Sequence, residues 1–244
     1  MAKPYALVTG ASRGIGRETA LLLAGKGFPL ILVARNQTAA LAEVADLCRD
    51  ALALEAGLLP DRAVFTYLTD LSDAAAVREM FDDLNAKGIG RSDTCAQTIG
   101  VLVNNAGIAH YALVQDMSDD DWRRVMGVNI DSMFYTCRAV VPIMVYDKSG
   151  VIINVSSYWG EQGAAMESAY AASKGAVNAF TRSLEEELQP SGIRVHLVAP
   201  EFVDTEMNAH LSEEERLAAA AAMPSGRIWQ AKEIAEKILD LVIT

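Results

Sequence analysis

A tyrosine and a lysine stand four residues apart, at Tyr170 and Lys174, in a segment whose spacing predicts a helix. On a helix the two side chains project from one face. An ammonium beside a phenol favours the phenolate, so we expect Lys174 to lower the tyrosine pKa from its reference value of about 10. The phenol then becomes a usable general acid or base. The pair therefore predicts proton-transfer chemistry.

Two further polar groups are expected near this pair. Ser157 ends a predicted strand, and the run Asn104-Asn105-Ala106-Gly107 ends another. In open parallel sheets the carboxyl ends of the strands face the crevice in which ligands bind. The serine and the asparagine run are therefore predicted at the same edge of a sheet as the tyrosine and the lysine.

A glycine-rich turn, Thr9-Gly10-Ala11-Ser12-Arg13-Gly14-Ile15-Gly16, directly follows the first predicted strand. Such a turn lets the backbone approach a pyrophosphate, which then lies at the positive end of the next helix. An ordinary strand-to-helix turn is the alternative, but three glycines in seven residues favour a dinucleotide site. The cofactor-binding residues predicted in this turn are Gly10, Ser12, Arg13, Gly14, Ile15 and Gly16.

The end of the second predicted strand indicates which dinucleotide is bound. A carboxylate there would accept from a ribose hydroxyl, whereas a cation would hold a 2′-phosphate. The strand is followed by Arg35, and the nearest carboxylate after it is Glu43. Arg35 and Arg13 therefore favour NADPH, with two solvated surface arginines as the alternative. Asp70 follows the third predicted strand, where it would bind an adenine edge or merely cap a helix.

The elements that position these groups form a predicted parallel α/β sheet, because short apolar runs alternate with longer stretches of helical spacing. The predicted strands are 5–9, 28–34, 63–68, 99–104, 150–156 and 193–199. The predicted helices are 15–26, 38–56, 73–87, 118–146 and 169–189, with caps at Ser72 or Asp73 and at Ser118. The predicted fold class is a doubly wound, Rossmann-type sheet with helices on both faces.

Composition excludes several classes of protein. The 244 residues are 51% hydrophobic with a net charge of −11, which argues against disorder, nucleic-acid binding and an anionic membrane partner. The three cysteines form no CxxC pair and the three histidines share no metal spacing, so neither disulfides nor a metal site is predicted. No apolar run reaches the ~18 residues of a membrane span. A single cytoplasmic domain over residues 1–244 is the expectation.

Taken in order, these motifs resemble those of the short-chain dehydrogenases/reductases over nearly the whole chain. The matching features are the turn at 9–16, Asp70, the NNAG run at 104–107, Asn129, Ser157, Tyr170, Lys174, Pro200 and Thr205. The resemblance implies that Tyr170 donates a proton to the substrate oxygen and that Ser157 hydrogen-bonds the carbonyl. It implies that Lys174 holds the nicotinamide ribose and that Asn129 positions a water for proton relay. The other cofactor-binding residues that it implies are Leu71, Asn105, Ala106, Gly107, Tyr170, Lys174, Pro200, Val203 and Thr205.

Within this family the phrases TGASRGIGR, VNNAG and SAYAASKGAV are most similar to the 3-oxoacyl-acyl-carrier-protein reductases. The likeness implies NADPH-dependent reduction of a 3-oxoacyl thioester, acyl carrier protein as a candidate partner, and a homodimer or homotetramer. Four features depart from the pattern. Glu201 replaces a glycine, Gly100 replaces a common aspartate, Glu185, Glu186 and Glu187 stand where a basic docking residue is usual, and a seventh strand is expected to be missing.

Two other functions stay open. One is a catalytically weak NADP-binding protein that acts as a sensor or scaffold, and the other is a carbonyl reductase for another small ketone. Retention of Ser157, Tyr170, Lys174 and Asn129 favours an enzyme. Six apolar residues either line a substrate pocket or only pack in the core. They are Tyr111, Trp159, Met166, Phe202, Met207 and Met223.

Overall fold

The computed structural model describes residues 3–55 and 63–244, and a six-stranded parallel sheet lies at its centre. The strands are β1 (Tyr5–Thr9), β2 (Leu30–Ala34), β3 (Val64–Leu68), β4 (Ile99–Asn104), β5 (Gly150–Val155) and β6 (Ile193–Val198). Their order is β3-β2-β1-β4-β5-β6, so the direction of winding reverses between β1 and β4. The predicted doubly wound, Rossmann-type fold is confirmed. Residues 1, 2 and 56–62 lie outside the described residues. They belong to the predicted domain 1–244, and residue 56 is also the last residue of the predicted helix 38–56.

Helices connect and cover the strands. They are α1 (Gly14–Ala24), α2 (Thr38–Glu55), α3 (Ala74–Ala86), α4 (Asp119–Met126), α5 (Ser132–Asp147), α6 (Trp159–Gln162), α7 (Ser168–Leu188), α8 (Glu213–Ala221) and α9 (Ala231–Ile243). A short parallel pair, β7 (Val203–Asp204) and β8 (Trp229–Gln230), flanks α8. The described residues add no seventh strand to the main sheet.

The sheet separates two hydrophobic cores because successive side chains of a strand point to opposite faces. Ala6 and Val8 of β1 face a core that includes residues of α1, α2 and α9. Leu7, between them, faces the other core, to which α3, α5 and α7 contribute. Burial on both faces explains why these strands are continuous apolar runs. The rigid sheet fixes the positions of the residues that follow its carboxyl edge.

The helix predicted over 118–146 is divided by a π-helical turn at Gly127–Asp131. The predicted caps are observed at both helices, since Asp73 caps α3 and Ser118 caps α4. A π-helical turn offsets the residues that follow it from the regular helical face, and such turns are frequent at functional sites. Here the turn contains Asn129, one of the predicted catalytic residues.

Two contacts join strands of the sheet to residues outside it. A Cβ placed on Gly100 of β4 would lie 2.5 Å from Cγ of Pro4, so the ring of the proline fills the space of a side chain at position 100. At the edge strand β6, the guanidinium of Arg194 donates to the carbonyl oxygens of Leu241 at 2.8 Å and Val242 at 3.1 Å. These two bonds satisfy carbonyl groups in the last turn of α9, which have no partner within the helix.

Candidate active site

A cleft of about 450 Å³ opens at the carboxyl edge of the sheet, where the winding reverses. In open α/β sheets this reversal point is where ligands bind. The cleft is lined by every residue predicted for catalysis or cofactor binding except Gly16 and Asn129. The structure therefore brings together residues that are distributed from Gly10 to Thr205 in the sequence.

The glycine turn forms one end of the cleft. Gly10 has a φ of +64° and Gly14 a φ of +54°, values in the left-handed region that glycine adopts without steric cost. A Cβ on Gly16 would overlap the carbonyl oxygen of Gly10 and would lie 2.6 Å from Nδ2 of Asn105. Gly16 thus allows close packing behind the cleft, which explains why it does not line it. In the part of the chain that the structure describes, no side chain caps the start of α1, so its first N–H groups remain available to an anion.

The asparagine run after β4 serves two different purposes. Asn105 faces the turn, where its Nδ2 donates to the carbonyl oxygen of Thr9 at 3.0 Å. Asn104 is buried, and its Nδ2 donates to Oδ1 of Asn154 at 2.9 Å. Asn154 in turn donates to the hydroxyl of Thr181 at 3.0 Å, so β4, β5 and α7 are joined by a buried polar chain. Asn104 therefore supports the cleft from within.

Two arginines lie at the glycine-turn end of the cleft. Arg13 and Arg35 are both exposed, line the cleft and make no ion pair within residues 3–55 and 63–244. Between them, the Ser12 hydroxyl donates to Oε1 of Gln37 at 3.0 Å. Gln37, which the motifs did not indicate, also lines the cleft. Two free cations at this end can hold an anionic group such as a phosphate.

Asp70 and Leu71 line the cleft where the third strand ends. Oδ1 of Asp70 accepts hydrogen bonds from the backbone N–H of Ser72 at 3.0 Å and from its hydroxyl at 2.6 Å. The cap of α3 is Asp73, not Asp70. Asp70 thus shapes the turn before the helix and still faces the cleft.

Tyr170 and Lys174 lie side by side at the centre of the cleft, and both are buried. Nζ of Lys174 lies 5.8 Å from the centroid of the tyrosine ring. Burial raises the pKa of Tyr170 to about 12, although the neighbouring Ser157 hydroxyl opposes the rise. The predicted lowering of this pKa by Lys174 is therefore wrong for the structure as described, because desolvation of the phenolate dominates. Burial lowers the pKa of Lys174 itself to about 8.

Asn129 is fully buried beside the cleft and has all its polar atoms bonded. Its Nδ2 donates to the carbonyl oxygen of Ile108 and to the Ser173 hydroxyl, both at 2.9 Å, and its Oδ1 accepts from the N–H of Ile108 at 2.8 Å. A Cβ on Gly107 would lie 3.3 Å from Oδ1 of Asn129 and 3.5 Å from Nζ of Lys174. The absent side chain at Gly107 therefore lets the amide and the amine approach the same point.

Apolar side chains line the other end of the cleft, which we call the substrate end. Tyr111, Trp159, Phe202, Met207 and Met223 belong to this lining. Met166, which was predicted with them, does not line it and is 49% exposed. The rings of Tyr111 and His210 lie 4.9 Å apart, so the segment before α8 rests on the loop that follows β4. This end can hold a mostly apolar ligand.

Glu201 has a structural contact that the motifs did not indicate. Its carboxylate accepts hydrogen bonds from the backbone N–H of Ser225, at 3.0 Å, and from the Ser225 hydroxyl. The hydroxyl oxygen of Ser225 accepts from the indole N–H of Trp229 at 3.1 Å. These bonds join the segment after β6 to the segment before β8, on either side of α8. We call the three residues the Glu201 latch.

The comparisons with known proteins agree with this geometry. A family model described as short chain dehydrogenase matches residues 4–216. The chain belongs to the short-chain dehydrogenase family. A 3-oxoacyl-[acyl-carrier-protein] reductase from Thermotoga maritima is 37% identical over 235 residues, which is 96% of this chain and 88% of that protein. Carbonyl reductase family member 4 from Danio rerio is 36% identical over 237 residues, covering 97% and 90% of the two chains.

A solved structure extends the likeness of this short-chain dehydrogenase to three dimensions. It is a crystal structure from Beutenbergia cavernae of a protein assigned as an NAD(P)-dependent gluconate 5-dehydrogenase, with NADP bound at low occupancy. The TM-score is 0.85 at 31% identity, over 99% of this chain and 90% of that one. Family membership identifies the chain as an oxidoreductase.

The described part of the dehydrogenase contains neither a group of metal ligands nor a helix that could span a membrane. Within residues 3–55 and 63–244, no three His, Cys, Asp or Glu residues are grouped as metal ligands. Over the same residues no helix combines the length and the apolarity that crossing a membrane requires.

Proposed function

We propose that this short-chain dehydrogenase uses NADPH to reduce a ketone to a secondary alcohol, with Tyr170 as the proton donor. The observation that carries the proposal is the juxtaposition of Tyr170, Ser157 and Lys174 in the cleft that the glycine turn enters. When bound, NADPH supplies a hydride to the carbonyl carbon. The groups of the protein then have to bind the dinucleotide, hold the ketone and deliver one proton.

The residues of the glycine-turn end fit a dinucleotide phosphate. Gly10, Gly14 and Gly16 leave the backbone uncovered, and the uncapped start of α1 presents its N–H groups. Arg13 and Arg35 supply positive charge for a 2′-phosphate, since neither is paired within the described residues. This combination supports NADPH over NADH.

The raised pKa of Tyr170 supports its role as an acid. With a pKa of about 12 the phenol is protonated at neutral pH, so its O–H can be donated to the substrate oxygen as negative charge develops there. The Ser157 hydroxyl, at the end of β5, is placed to donate a second hydrogen bond to that oxygen. The ammonium of Lys174 stabilises the phenolate that remains after the transfer. We assign to Asn129, whose amide lies near Gly107 as the Lys174 amine does, the positioning of a water for proton relay.

For the substrate we propose a 3-oxoacyl thioester, as the 3-oxoacyl-[acyl-carrier-protein] reductases among the relatives suggest. The charge on α7 argues against a carrier-bound thioester. Glu185, Glu186 and Glu187 are all exposed, while Leu184 and Leu188 on the same helix are buried. Fatty-acid carrier proteins are acidic, and like charges across a docking surface cost several kcal/mol. We therefore propose that a small or coenzyme-A-borne substrate is reduced at least as well as a carrier-borne one.

The deciding experiment follows the absorbance of NADPH with acetoacetyl coenzyme A and with simple ketones. We expect turnover by the native protein and a loss of ~10²-fold or more in Tyr170→Phe, the contribution of a positioned general acid. Binding of NADPH should persist in this variant. Tyr158→Phe is the matched control, because Tyr158 is close in sequence and partly buried but does not line the cleft. More than about a tenth of the native rate in Tyr170→Phe would contradict the role of the tyrosine.

The carrier is tested by comparing acetoacetyl coenzyme A with the same acyl group on acyl carrier protein at two salt concentrations. A carrier preference above tenfold that fades with salt would show a basic docking surface and refute this part of the proposal. A protein that binds NADPH but reduces no ketone would instead favour the sensor or scaffold function. The cytoplasmic location, the single domain and the homo-oligomeric assembly stay predictions.

A further inference from the structure

Glu167 occupies an unusual place beside the catalytic tyrosine. It stands three residues before Tyr170 and lines the cleft. It also holds the N-cap position of α7, where its side chain makes no capping hydrogen bond. Ser, Thr, Asp and Asn are the residues that normally cap a helix from this position, through a short side chain. The longer carboxylate of Glu167 instead reaches the cleft.

The residue before Glu167 has an unfavourable backbone conformation. Met166 has a φ of +64°, and Lys148 is the other non-glycine residue with positive φ in the described part of the chain. Lys148 ends α5, where a left-handed residue is common, whereas Met166 ends no helix. The carbonyl oxygen of Met166 accepts from the N–H of Ala112 at 2.8 Å, which ties it to the loop after β4. Left-handed non-glycine residues concentrate at functional sites.

The carboxylate of Glu167 is partly buried. Glu167 makes no side-chain hydrogen bond and no ion pair with any residue in 3–55 and 63–244. Burial raises its pKa, and its charge raises the pKa of both Tyr170 and Tyr111. The group therefore lies near both tyrosines, one at the centre and one at the substrate end of the cleft. A desolvated polar group without a partner is costly, and a ligand that supplies a donor removes that cost.

The charges around Glu167 are unfavourable to anions. Three further glutamates line the cleft: Glu215, Glu201, whose carboxylate is engaged by Ser225, and Glu206, which lies near Gly14 at the glycine-turn end. Of the cations in the lining, Arg13 and Arg35 lie at the glycine-turn end, and Lys174 lies beside Tyr170, where its ammonium donates to the carbonyl oxygen of Val155. A negative charge near the ketone would thus lie close to the carboxylate of Glu167, which has no ion-pair partner among the described residues.

We propose that Glu167 is a specificity residue that accepts a hydrogen bond from a hydroxyl group carried near the reacting ketone, and that it disfavours ketones with a negative charge there. The inference rests on the proposed ketone reduction and is independent of the thioester, because it concerns only the preference among small ketones of similar size. Sites built to bond a fully enclosed substrate hydroxyl reject the analogue that lacks it by as much as 10⁴-fold. Because Glu167 is only partly buried, we expect a preference of roughly tenfold to a hundredfold.

The test compares three ketones of similar size by kcat/KM at saturating NADPH. They are 4-hydroxy-2-butanone, 2-pentanone, in which a methyl replaces the hydroxyl, and acetoacetate. We expect the native protein to prefer the hydroxyketone over 2-pentanone by at least about tenfold and to use acetoacetate least well. In Glu167→Leu the ratio of hydroxyketone to 2-pentanone should fall to within about threefold of unity, because the acceptor is gone. Glu167→Gln keeps an acceptor oxygen without the charge. Of the three kcat/KM values, the one for acetoacetate should therefore rise most in this variant.

Glu161→Gln is the control, because Glu161 is an exposed residue of α6 that does not line the cleft, and its three values should equal those of the native protein. Far-ultraviolet circular dichroism and NADPH binding establish that each variant is folded. A native protein that reduces 2-pentanone without preferring the hydroxyketone, or a preference that survives in Glu167→Leu, overturns the role of Glu167 alone. A native protein that reduces no ketone overturns the proposed function and this inference together. Glu167→Ala, which also removes the acceptor, replaces Glu167→Leu if that variant does not fold.

Discussion

Nζ of Lys174 donates to the carbonyl oxygen of Val155 at 2.9 Å, so the amine is held by the end of β5 from inside the protein. Its burial lowers the pKa from an ordinary value of 10.5 to about 8. The ammonium is therefore present below about pH 8 and is lost as the pH rises through that value. At pH values between the folded and the unfolded pKa, the unfolded chain binds more protons, so this group makes stability rise with pH there.

The first prediction follows from this titration. The affinity for NADPH should fall as the pH rises through about 8, because the neutral amine no longer attracts the dinucleotide. Fluorescence titrations with NADPH at constant salt, over about pH 7 to pH 10, measure how the dissociation constant rises on the alkaline side. In Lys174→Arg the dissociation constant should no longer rise with pH, since a guanidinium stays charged over this range. A dissociation constant of the native protein that is flat over the range would contradict the prediction.

Arg13 and Arg35 should set the choice between the two nicotinamide cofactors. We predict that NADPH binds at least tenfold more tightly than NADH, a difference of ~1.4 kcal/mol that two charged contacts to a phosphate can supply. Arg35→Ala should reduce the ratio of the two dissociation constants, mainly by weakening NADPH. Arg182→Ala is the control, because Arg182 is exposed on α7, outside the cleft. Equal dissociation constants for the two cofactors in low salt would refute the prediction.

The Glu201 latch should hold the segment around α8 over the substrate end of the cleft. Glu201→Gly removes the acceptor of two hydrogen bonds from Ser225. We expect KM for the ketone to rise by about threefold to tenfold, since hydrogen bonds to a charged group stabilise by up to a few kcal/mol and this one is partly solvated. Limited proteolysis between α8 and β8 should become faster. Glu185→Ala, which changes an exposed carboxylate on α7, is the control.

An unchanged KM together with unchanged proteolysis in Glu201→Gly would show that the segment holds its position without the latch. Ser225→Ala separates the two contributions, because it keeps the backbone N–H bond to Glu201 and removes the hydroxyl that the indole of Trp229 contacts. Its effect on KM should therefore lie between those of the native protein and Glu201→Gly.

The sheet could be predicted because each strand is marked by its own run of residues in the sequence. Buried parallel strands such as β1 and β2 are continuous apolar runs, and the polar residues that follow them occupy one edge by topology alone. The same rule placed Ser157 and the residues after Asn104 at the cleft. These predictions need no knowledge of side-chain packing.

The features that the sequence did not predict depend on packing between distant segments. The bond from Ser225 to Glu201 joins residues whose contact no motif encodes, and the outward turn of Met166 depends on the loop that contains Ala112. The pKa of Tyr170 was predicted to fall because spacing reveals the neighbouring lysine but not the degree of burial. Desolvation is a property of the whole cleft, and in this case it exceeds the pairwise effect.

Exposed apolar side chains on α4 and α5 predict association between copies of the chain. Trp122 is 42% exposed, Phe134 43% and Tyr146 47%. With the exposed side of α7, we expect these helices to pair with their symmetry mates in a homodimer or homotetramer. Light scattering at micromolar concentration should give a multiple of 26.2 kDa, and Phe134→Glu should shift the mass toward the monomer. A native monomer would exclude both assemblies.

The contact between Pro4 and Gly100 constrains how the sequence can change over time. A side chain at position 100 would collide with the proline ring, at 2.5 Å from Cγ, while either residue alone is compatible with a strand pair. Gly100→Asp, which restores the residue common in the family, would therefore be destabilising in this background and tolerated after Pro4 is replaced. The two positions are epistatic: an evolutionary path that changes position 4 first stays folded, and the reverse order passes through an overpacked intermediate.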